Sequence, residues 1–459
     1  MTLRRAVPLV LLAGLTAGCS VFLPLKHAAG THAGRHAGRI VRIHLTVMDG
    51  DAMKPVRHAF VRTARARDQT NRHGIARVLV RSSHPYVVTA SARGYTTQTQ
   101  RKTFHHGRFY RTVFLYRPQL QWPIYGAVAR RTQAQQHIHL RPPFRKVWTA
   151  HMGGLIEFPS VVSDGSAYIT NKHGVVMAIS VATGRFEWRR NLDSLMASSP
   201  AVDGPRLIVH DMRGRIWELR RSDGRILHHY YVPAAVESSP VVRHGIDYFG
   251  AWNGIVYALD LHTGRFRWSY ATGYKITSSA SISRHTVYIG DYGGELLAFN
   301  TRTGRLLWQG SVNGRIYGTP AVSGGRVFAP SSDGDSLTAF STHGHELWTR
   351  NTGSYVYSSP AVWGDRVYFG SYNGLLYCVS ARTGAVEWTV GVGGRVSGAV
   401  VAVSKIVYAS TKGRTIGVRA RTGHVVFTFP HGDYVPLSGN GRRLLLDGYA
   451  RLYALEPRR

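Results

Sequence analysis

The side chains that could do chemistry in this chain are few and far apart. The two cysteines, Cys19 and Cys378, stand in unrelated contexts and offer neither a disulfide framework nor a zinc knuckle. Asp211 and Asp291 each precede a glycine by three residues, and Glu237 stands where a short strand is predicted to begin. Carboxylates can bind calcium or act as a general base, but isolated ones are usually solvated polar groups. We interpret these three acids as polar groups at the rim of the fold and predict no catalytic and no metal-binding residues.

Two further candidates have simple structural explanations. His228 and His229 are adjacent, and we expect them to pack against a neighbouring element rather than to bind a metal. Cys378 occupies a place that alanine takes elsewhere, as at Ala178 and Ala258, so we predict a buried small residue and not a nucleophile.

The element that positions these residues is an internal repeat of about 40 residues. Two glycines recur along the chain, the first after residues typical of a hairpin turn and the second in a Thr-Gly type of turn. The first series is Gly174, Gly214, Gly254, Gly294, Gly334, Gly374 and Gly413, and the second is Gly184, Gly224, Gly264, Gly304, Gly344, Gly384 and Gly423. A period of this length, with short apolar runs between the turns, is typical of a four-stranded propeller blade.

One large ring marks the last strand of nearly every repeat. Its tryptophans are Trp148, Trp188, Trp268, Trp308, Trp348 and Trp388, and His228 and Phe427 take the same place in the other two units. A flat side chain at one fixed position is expected to stack on the next blade. The segment 144–150 is such a strand without a blade of its own, and residues 441–457 supply a blade that lacks this strand. We therefore predict an all-β fold with an eight-bladed propeller at 144–459, in which the two ends share one blade.

The repeats resemble the pyrroloquinoline-quinone-like (quinoprotein-like) propeller family. The stretch YALDLHTGRFRW, residues 257–268, carries the family's Ala-Leu-Asp and Thr-Gly before a tryptophan, and WPIYG at 122–126 resembles its lead-in. The resemblance implies either a dehydrogenase that uses this quinone with calcium or a non-catalytic protein of the BamB lipoprotein type. The dehydrogenases often carry adjacent cysteines and long inserts between blades, and neither is present here. We expect no enzyme activity and no cofactor, with the quinone and calcium as the alternative.

The beginning of the chain has the layout of an export signal. Arg4 and Arg5 precede an apolar run that ends at Gly18 and Cys19, which is similar to a bacterial lipobox with Cys19 as the lipidated residue. We assign residues 1–19 to this signal; an uncleaved span over residues 7–25 is the alternative. Residues 20–37 are rich in alanine, glycine and histidine and are predicted to be a flexible tether.

A small domain is predicted between the tether and the propeller. Residues 38–118 alternate apolar and polar side chains in short runs, which favours an antiparallel β-sandwich. The order of the runs, with Gly74 in a turn and Gly94-Tyr95 after a later strand, resembles the carboxypeptidase-regulatory-like module. Residues 119–143 are predicted to be a linker that contains the WPIYG lead-in.

The net charge of the chain indicates which kinds of partner it could bind. The formal net charge is +34, and 23 of the 58 basic but only 3 of the 24 acidic residues precede residue 144. Such an excess attracts anionic polymers or lipid headgroups, although a genome rich in G and C produces the same arginine bias. We predict a monomeric, membrane-anchored, extracytoplasmic scaffold of a bacterial envelope that binds a protein or an anionic wall or lipid polymer, without specific nucleic-acid binding. The candidate contacts are loop aromatics: Trp252, Tyr292, Tyr355, Trp363 and Tyr372.

Overall fold

The computed structural model describes residues 40–82, 84–103 and 110–458, which belong to one compact unit. This part of the chain is built from 40 β-strands and one short 3-10 helix. No helix in these ranges has the length and apolar character needed to span a bilayer. The predicted signal, the lipidation site Cys19 and the histidine-rich tether lie outside the described residues.

Seven strands near the start of the described chain form two sheets around one core. They are β1 Ile40–Asp49, β2 Phe60–Arg62, β3 Arg67–Gln69, β4 Ile75–Arg81, β5 Pro85–Ser91, β6 Gln98–Thr103 and β7 Tyr110–Leu115. The sheet orders are β4-β1-β7 and β3-β2-β5-β6, and both sheets contribute to the buried cluster that includes Leu45, Val61 and Val88. Alternate side chains of β1 are buried, as a half-exposed sheet requires. The purely antiparallel expectation is wrong at one pair, since β1 and β7 run parallel; a period-2 pattern carries no information on strand direction.

The remaining strands form the propeller. After the 3-10 helix Pro118–Leu120 come β8 Ala134–Gln135 and β9 Phe144–His151. The rest are, in chain order, β10 Val161–Ser163, β11 Ser166–Thr170, β12 Val175–Ser180, β13 Phe186–Asn191, β14 Ala201–Asp203, β15 Arg206–His210, β16 Arg215–Arg220, β17 Ile226–Tyr231, β18 Val241–Arg243, β19 Ile246–Gly250, β20 Ile255–Asp260, β21 Arg265–Ala271, β22 Ser281–Ser283, β23 Thr286–Gly290, β24 Glu295–Asn300, β25 Leu306–Ser311, β26 Ala321–Ser323, β27 Arg326–Ser331, β28 Ser336–Ser341, β29 Glu346–Asn351, β30 Ala361–Trp363, β31 Arg366–Gly370, β32 Leu375–Ser380, β33 Val386–Gly391, β34 Val401–Val403, β35 Ile406–Thr411, β36 Arg414–Arg419, β37 Val425–Phe429, β38 Leu437–Gly439, β39 Leu444–Asp447 and β40 Arg451–Pro457.

These strands pair in chain order into antiparallel sheets of four, beginning with β10-β11-β12-β13. The described residues contain eight such sheets, the number of blades that the repeat predicts, and one of them gains β8 as a fifth strand. The last sheet has the order β38-β39-β40-β9, so the predicted junction of the two chain ends is confirmed by the pairing of β40 with β9. This pairing completes a four-stranded blade where the ends meet and covers the edge that β40 would otherwise leave open.

Each tryptophan of the repeat joins its blade to the next one. The indole of Trp348 donates a hydrogen bond to the Ala381 carbonyl at 3.2 Å, 33 residues further along the chain. A Cβ added to Gly384 would lie 2.6 Å from the Trp348 ring, so the glycine of the Thr-Gly turn is what lets the ring lie flat on the neighbouring blade. The other five tryptophans donate in the same way to carbonyls 32 to 34 residues ahead.

The blade with histidines departs from this scheme. His228 pairs with Glu218 in the tryptophan register, but its side chain is exposed. The ring of His229 packs on Trp217 of the neighbouring strand, with centroids 5.3 Å apart. Tyr230 takes over the contact with the next blade: its ring lies beside Gly264, and its hydroxyl donates to the Leu261 carbonyl at 3.1 Å.

The first strands of neighbouring blades lie side by side and form the inner wall of the ring. Serine or threonine hydroxyls of the Ser-Pro type of motif link them, because each accepts a hydrogen bond from a backbone N–H 40 residues earlier in the chain. The Ser359 hydroxyl accepts from the Thr319 N–H at 2.8 Å, and Ser239, Ser279 and Thr319 accept in the same way. The repeated Ser-Pro motif is therefore part of the seam between blades.

The predicted linker is an integral part of this ring. Residues 122–135 run along one end of the inner strands, and their carbonyls accept backbone hydrogen bonds of 2.7 to 2.9 Å from residues that recur at multiples of 40. The donors are Val162, Val202, Ile282, Val322, Val362 and Ala402. Arg131 from this segment is fully buried, and its guanidinium donates to the carbonyls of Tyr125, Ser239, Pro240 and Ala280. We call residues 122–135 the crossing segment.

Candidate functional site

The other end of the inner ring is open and holds a cavity of about 370 Å³. The residue four places before each inner strand points to it in six of the repeats. These lining residues are Glu157, Glu237, Thr277, Tyr317, Tyr357 and Ser397. Because the repeat places them at the same height around the ring, one variable position per blade builds most of the wall.

Tyrosines complete the wall and the floor. Tyr292 and Tyr372 come from hairpins between the second and third strands of their blades, and Tyr434 precedes β38. Tyr125 of the crossing segment is buried at the closed end, and its hydroxyl donates to the Ser359 hydroxyl at 3.1 Å. The cavity thus has a floor supplied by the crossing segment and a wall supplied by the blades.

Glu237 is an acid of the cavity wall whose carboxylate is fixed by two hydrogen-bond donors. Its side chain is buried, and its two oxygens accept hydrogen bonds from the Tyr317 hydroxyl at 2.7 Å and the Trp252 indole at 3.1 Å. Burial, together with the charge of Glu237, raises the pKa of the Tyr317 hydroxyl, so this phenol stays protonated and remains a donor. The carboxylate is held in one orientation and keeps lone pairs for a ligand.

Glu157 brings a second carboxylate into the same cavity. Burial is the main cause that raises its pKa, the charges of Glu237 and Asp433 act in the same direction, and Lys172 opposes them. The carboxyl group of Glu157 therefore lies in a poorly solvated space.

A cluster of tyrosine rings forms the opposite side. The ring centroids of Tyr357 and Tyr372 are 5.0 Å apart, and Tyr317 meets Tyr357 edge to face at 5.3 Å. Tyr355 packs against both Tyr357 and Tyr372 at 5.9 and 5.8 Å. Rings arranged in this way offer aromatic faces and hydroxyls around one space.

Large apolar side chains and bases surround the opening, which we call the mouth. At least two-fifths of the surface of each of these large side chains is exposed. They are Leu195, Trp252, Tyr274, Tyr355 and Tyr449. Lys275 lies 3.4 Å from the ring centre of Trp252, and Arg315 and Arg395 lie over Tyr292 and Tyr372. The mouth is therefore aromatic and basic, whereas the cavity behind it is aromatic and acidic.

The structure brings together four of the five predicted contact aromatics. Trp252, Tyr292, Tyr355 and Tyr372 all lie at the mouth or in the upper wall of the cavity. Trp363 does not, because it pairs with the start of β31 whereas Tyr372 follows the end of that strand. It lies instead at the end of the blade that faces the crossing segment and packs against a core cluster.

Two of the three predicted rim acids are not at the rim. Asp211 and Asp291 are fully buried, and one oxygen of each accepts two backbone N–H groups in its own hairpin turn. They stabilise turns, as Asp does beside glycine. Only Glu237 of the three faces the cavity. Cys378 is confirmed as a buried residue, and burial raises the pKa of its thiol to about 12.

Reasoning from sequence missed Glu157, Tyr317 and Tyr357, although the repeat contains the signal that identifies them. When the repeats are superposed, the column four residues before the inner strand carries Glu, Ala, Glu, Thr, Tyr, Tyr and Ser. A column that varies so widely within a regular repeat is not required by the blade, which makes it the natural place for function.

Comparison with known proteins assigns the family. The profile described as "Outer membrane protein assembly factor BamB" matches residues 145–285, 275–359 and 336–457. The chain belongs to this BamB-like family. No curated protein matches the chain.

Solved structures show the same fold at low sequence identity. BamB from Moraxella catarrhalis is 17% identical over 69% of this chain and 98% of its own, with a TM-score of 0.60. The quinohemoprotein alcohol dehydrogenase from Comamonas testosteroni is 13% identical over 73% of this chain and 80% of its own, with a TM-score of 0.63. A europium-containing methanol dehydrogenase reaches a TM-score of 0.62 at 11% identity, over 74% of this chain and 98% of its own. Propellers of this fold thus include both assembly factors and dehydrogenases.

The cavity of this BamB-like chain does not fit a quinone held through calcium. Calcium needs several oxygen ligands, and the quinone's carboxylates need cationic partners. The lining residues include two glutamates but no aspartate, asparagine, lysine or arginine. Within the described ranges, no group of three His, Cys, Asp or Glu side chains is arranged to hold a metal ion.

Proposed function

We propose that this BamB-like chain is a non-catalytic scaffold of the bacterial envelope that binds another protein across the mouth. The observation that carries the proposal is the set of large exposed apolar side chains at the mouth, of which Tyr449 is 64% exposed and Tyr274 54%. Exposed aromatic side chains next to a concave site are typical of protein contacts. The Glu237 carboxylate is paired with a phenol and an indole donor rather than with a nucleophile, which supports a binding role over a catalytic one.

The proposal places the chain outside the cytoplasm and attached to a membrane. The apolar run that ends at Cys19 supports this location, either as a lipidated cysteine or as an uncleaved span over residues 7–25. The family description, an outer membrane protein assembly factor, supports an envelope role as well.

The test is position-specific photocrosslinking in cells that express the full chain. A photoreactive amino acid is placed at Tyr449 or Tyr355 in the mouth, and at Leu347 on outer strand β29 as the control, since Leu347 is 45% exposed and matches Tyr355 at 46%. We expect discrete protein adducts from the mouth positions and none from Leu347. Equal adduct patterns at all three positions, or adducts from Leu347 alone, would contradict the proposal.

A second candidate, a binder of anionic polymers, is favoured by the small domain. Its arginines Arg57, Arg62, Arg65, Arg67 and Arg72 are all exposed. Binding through such residues weakens steeply as salt screens the charges. Repeating the crosslinking at raised salt separates the two candidates, because adducts made through the apolar mouth persist while charge-driven ones disappear.

A further inference from the structure

We propose that the central cavity binds an organic cation, a guanidinium or ammonium group carried on an alkyl chain. The inference goes beyond the proposed scaffold role and depends on it only if the cation is a side chain of the partner protein. It rests on three properties of the cavity: its charge, its aromatic wall and its contrast with the mouth.

The lining of the cavity is negatively charged, and Lys172, which acts on Glu157, is not part of that lining. Glu157 and Glu237 both face this space, and no lysine or arginine is among the lining residues. Arg131 lies beyond the floor, within 5.5 Å of the Tyr125 ring, but its guanidinium hydrogen bonds go to backbone carbonyls. Two carboxylates in a poorly solvated space favour a cation between them.

The wall has the composition of an aromatic cage. Tyr292, Tyr317, Tyr357 and Tyr372 surround the space, and a cation over the face of such a ring is attracted by its quadrupole. Glu237 is held in place by two donors, so it meets a ligand N–H without first having to become ordered. Alkyl carbons behind the charged group would lie against the same rings.

The contrast between cavity and mouth predicts the surroundings of the cation. Lys275 and Arg395 at the mouth repel a ligand that is cationic throughout, whereas they attract acidic groups that flank a single buried cation. A peptide with one arginine between acidic residues is complementary to both the acidic cavity and the basic mouth. A free alkyl guanidine is complementary only to the cavity.

The test measures binding to the purified full chain by calorimetry at low salt. The probes are agmatine and the capped tripeptide Glu-Arg-Glu, with Glu-citrulline-Glu as the neutral isostere. We expect Glu237→Gln to weaken binding of agmatine and of the arginine peptide at least tenfold, because a charge-assisted hydrogen bond is lost. Glu346→Gln is the matched control, since Glu346 is exposed on outer strand β29, and it should leave both affinities unchanged.

The pattern of affinities identifies the source of the cation. Tighter binding of the peptide than of agmatine points to a partner side chain, and equal or weaker binding points to a free small molecule. Failure of both cations to bind, equal binding of the citrulline peptide, or an unaltered affinity in Glu237→Gln would overturn the inference. Glu157→Gln provides a second test if Glu237→Gln unfolds. Mouth crosslinks that survive in Glu237→Gln would leave the scaffold proposal intact when the cation site fails.

Discussion

The two ends of the inner ring use the same 40-residue spacing in opposite ways. At the closed end, backbone N–H groups of residues such as Val162 and Val322 bind the crossing segment. At the open end, side chains at an equally regular position, such as Glu237 and Tyr357, line a cavity. One end is therefore built from groups that every residue possesses, and the other from groups that differ between repeats.

This difference explains why the repeat is uniform in one place and varied in another. The backbone N–H of a residue can donate whatever side chain that residue carries. The closed end therefore requires only small or β-branched residues that fit the inner wall. At the open end no backbone bond to the crossing segment has to be preserved, so Glu, Thr, Tyr and Ser all occur. A ring with a filled end and a variable end is suited to recognition through the variable one.

Removing the buried guanidinium of the closed end should have the largest effect on stability. Arg131→Met keeps the volume but leaves the carbonyls of Tyr125, Ser239, Pro240 and Ala280 without this donor. Buried acceptors that lose their partner each cost about 1–3 kcal/mol, so we expect the free energy of unfolding to fall by at least ~3 kcal/mol. Denaturant unfolding followed by tryptophan fluorescence measures it.

The neighbouring arginine supplies the control for this experiment. Arg130 belongs to the same segment, its side chain is exposed, and its backbone carbonyl still accepts from Val322 after substitution. Arg130→Met should change stability by less than ~0.5 kcal/mol. If Arg131→Met lowered the free energy of unfolding as little as Arg130→Met, the crossing segment would not stabilise the closed end through Arg131. The contrast between the two ends would then lose its basis.

The stacking of tryptophan rings between neighbouring blades should be the next most sensitive feature. Gly384→Ala places a methyl group 2.6 Å from the Trp348 ring at a φ of +69°, whereas Gly364→Ala meets nothing within 4 Å at a φ of +63°. Left-handed backbone costs an alanine about 1 kcal/mol, and the clash adds about 1–3 kcal/mol. We expect Gly364→Ala to show only the first loss and Gly384→Ala both. Equal losses in unfolding experiments would show that ring packing between blades tolerates the methyl group.

The sequence predicted the features that arise from repetition. Glycines and tryptophans at a constant spacing indicate the blade, and the incomplete first and last units indicate the pairing of β9 with β40. The crossing segment could not be recognised in this way, because it occurs once and its hydrogen bonds go to strands as distant as Ala402. The contact made by Tyr230 was equally hidden, since it lies two residues beyond the histidine that occupies the tryptophan register.

The residues of the cavity could be predicted from the sequence only in part. The sequence predicts Glu237 as a polar group at the rim where an inner strand begins, and the structure places it in the cavity wall four residues before that strand. Tyr317 and Tyr357 occupy the same column but look like ordinary aromatic packing in a single repeat. What the sequence lacks is the curvature of the ring, which brings residues 80 or more positions apart into contact, as in the bond between Tyr317 and Glu237.

The smallest expected effect concerns the pH dependence of the open end. The pKa of Glu157 is raised in the folded chain, so its charged form is less favourable there than in the unfolded chain. A raised carboxyl pKa gives a contribution to stability that is present at acidic pH and is lost as the pH rises through the folded-state value. Glu157→Gln cannot ionise, so it should raise the unfolding temperature at neutral pH by a few degrees and lose this advantage below the ordinary glutamate range. Thermal unfolding between pH 4 and pH 8, with the exposed Glu346→Gln as control, measures the difference. A difference in unfolding temperature that stays constant across this pH range would show that folding does not raise the pKa of Glu157. The open end would then have no acid destabilised by burial.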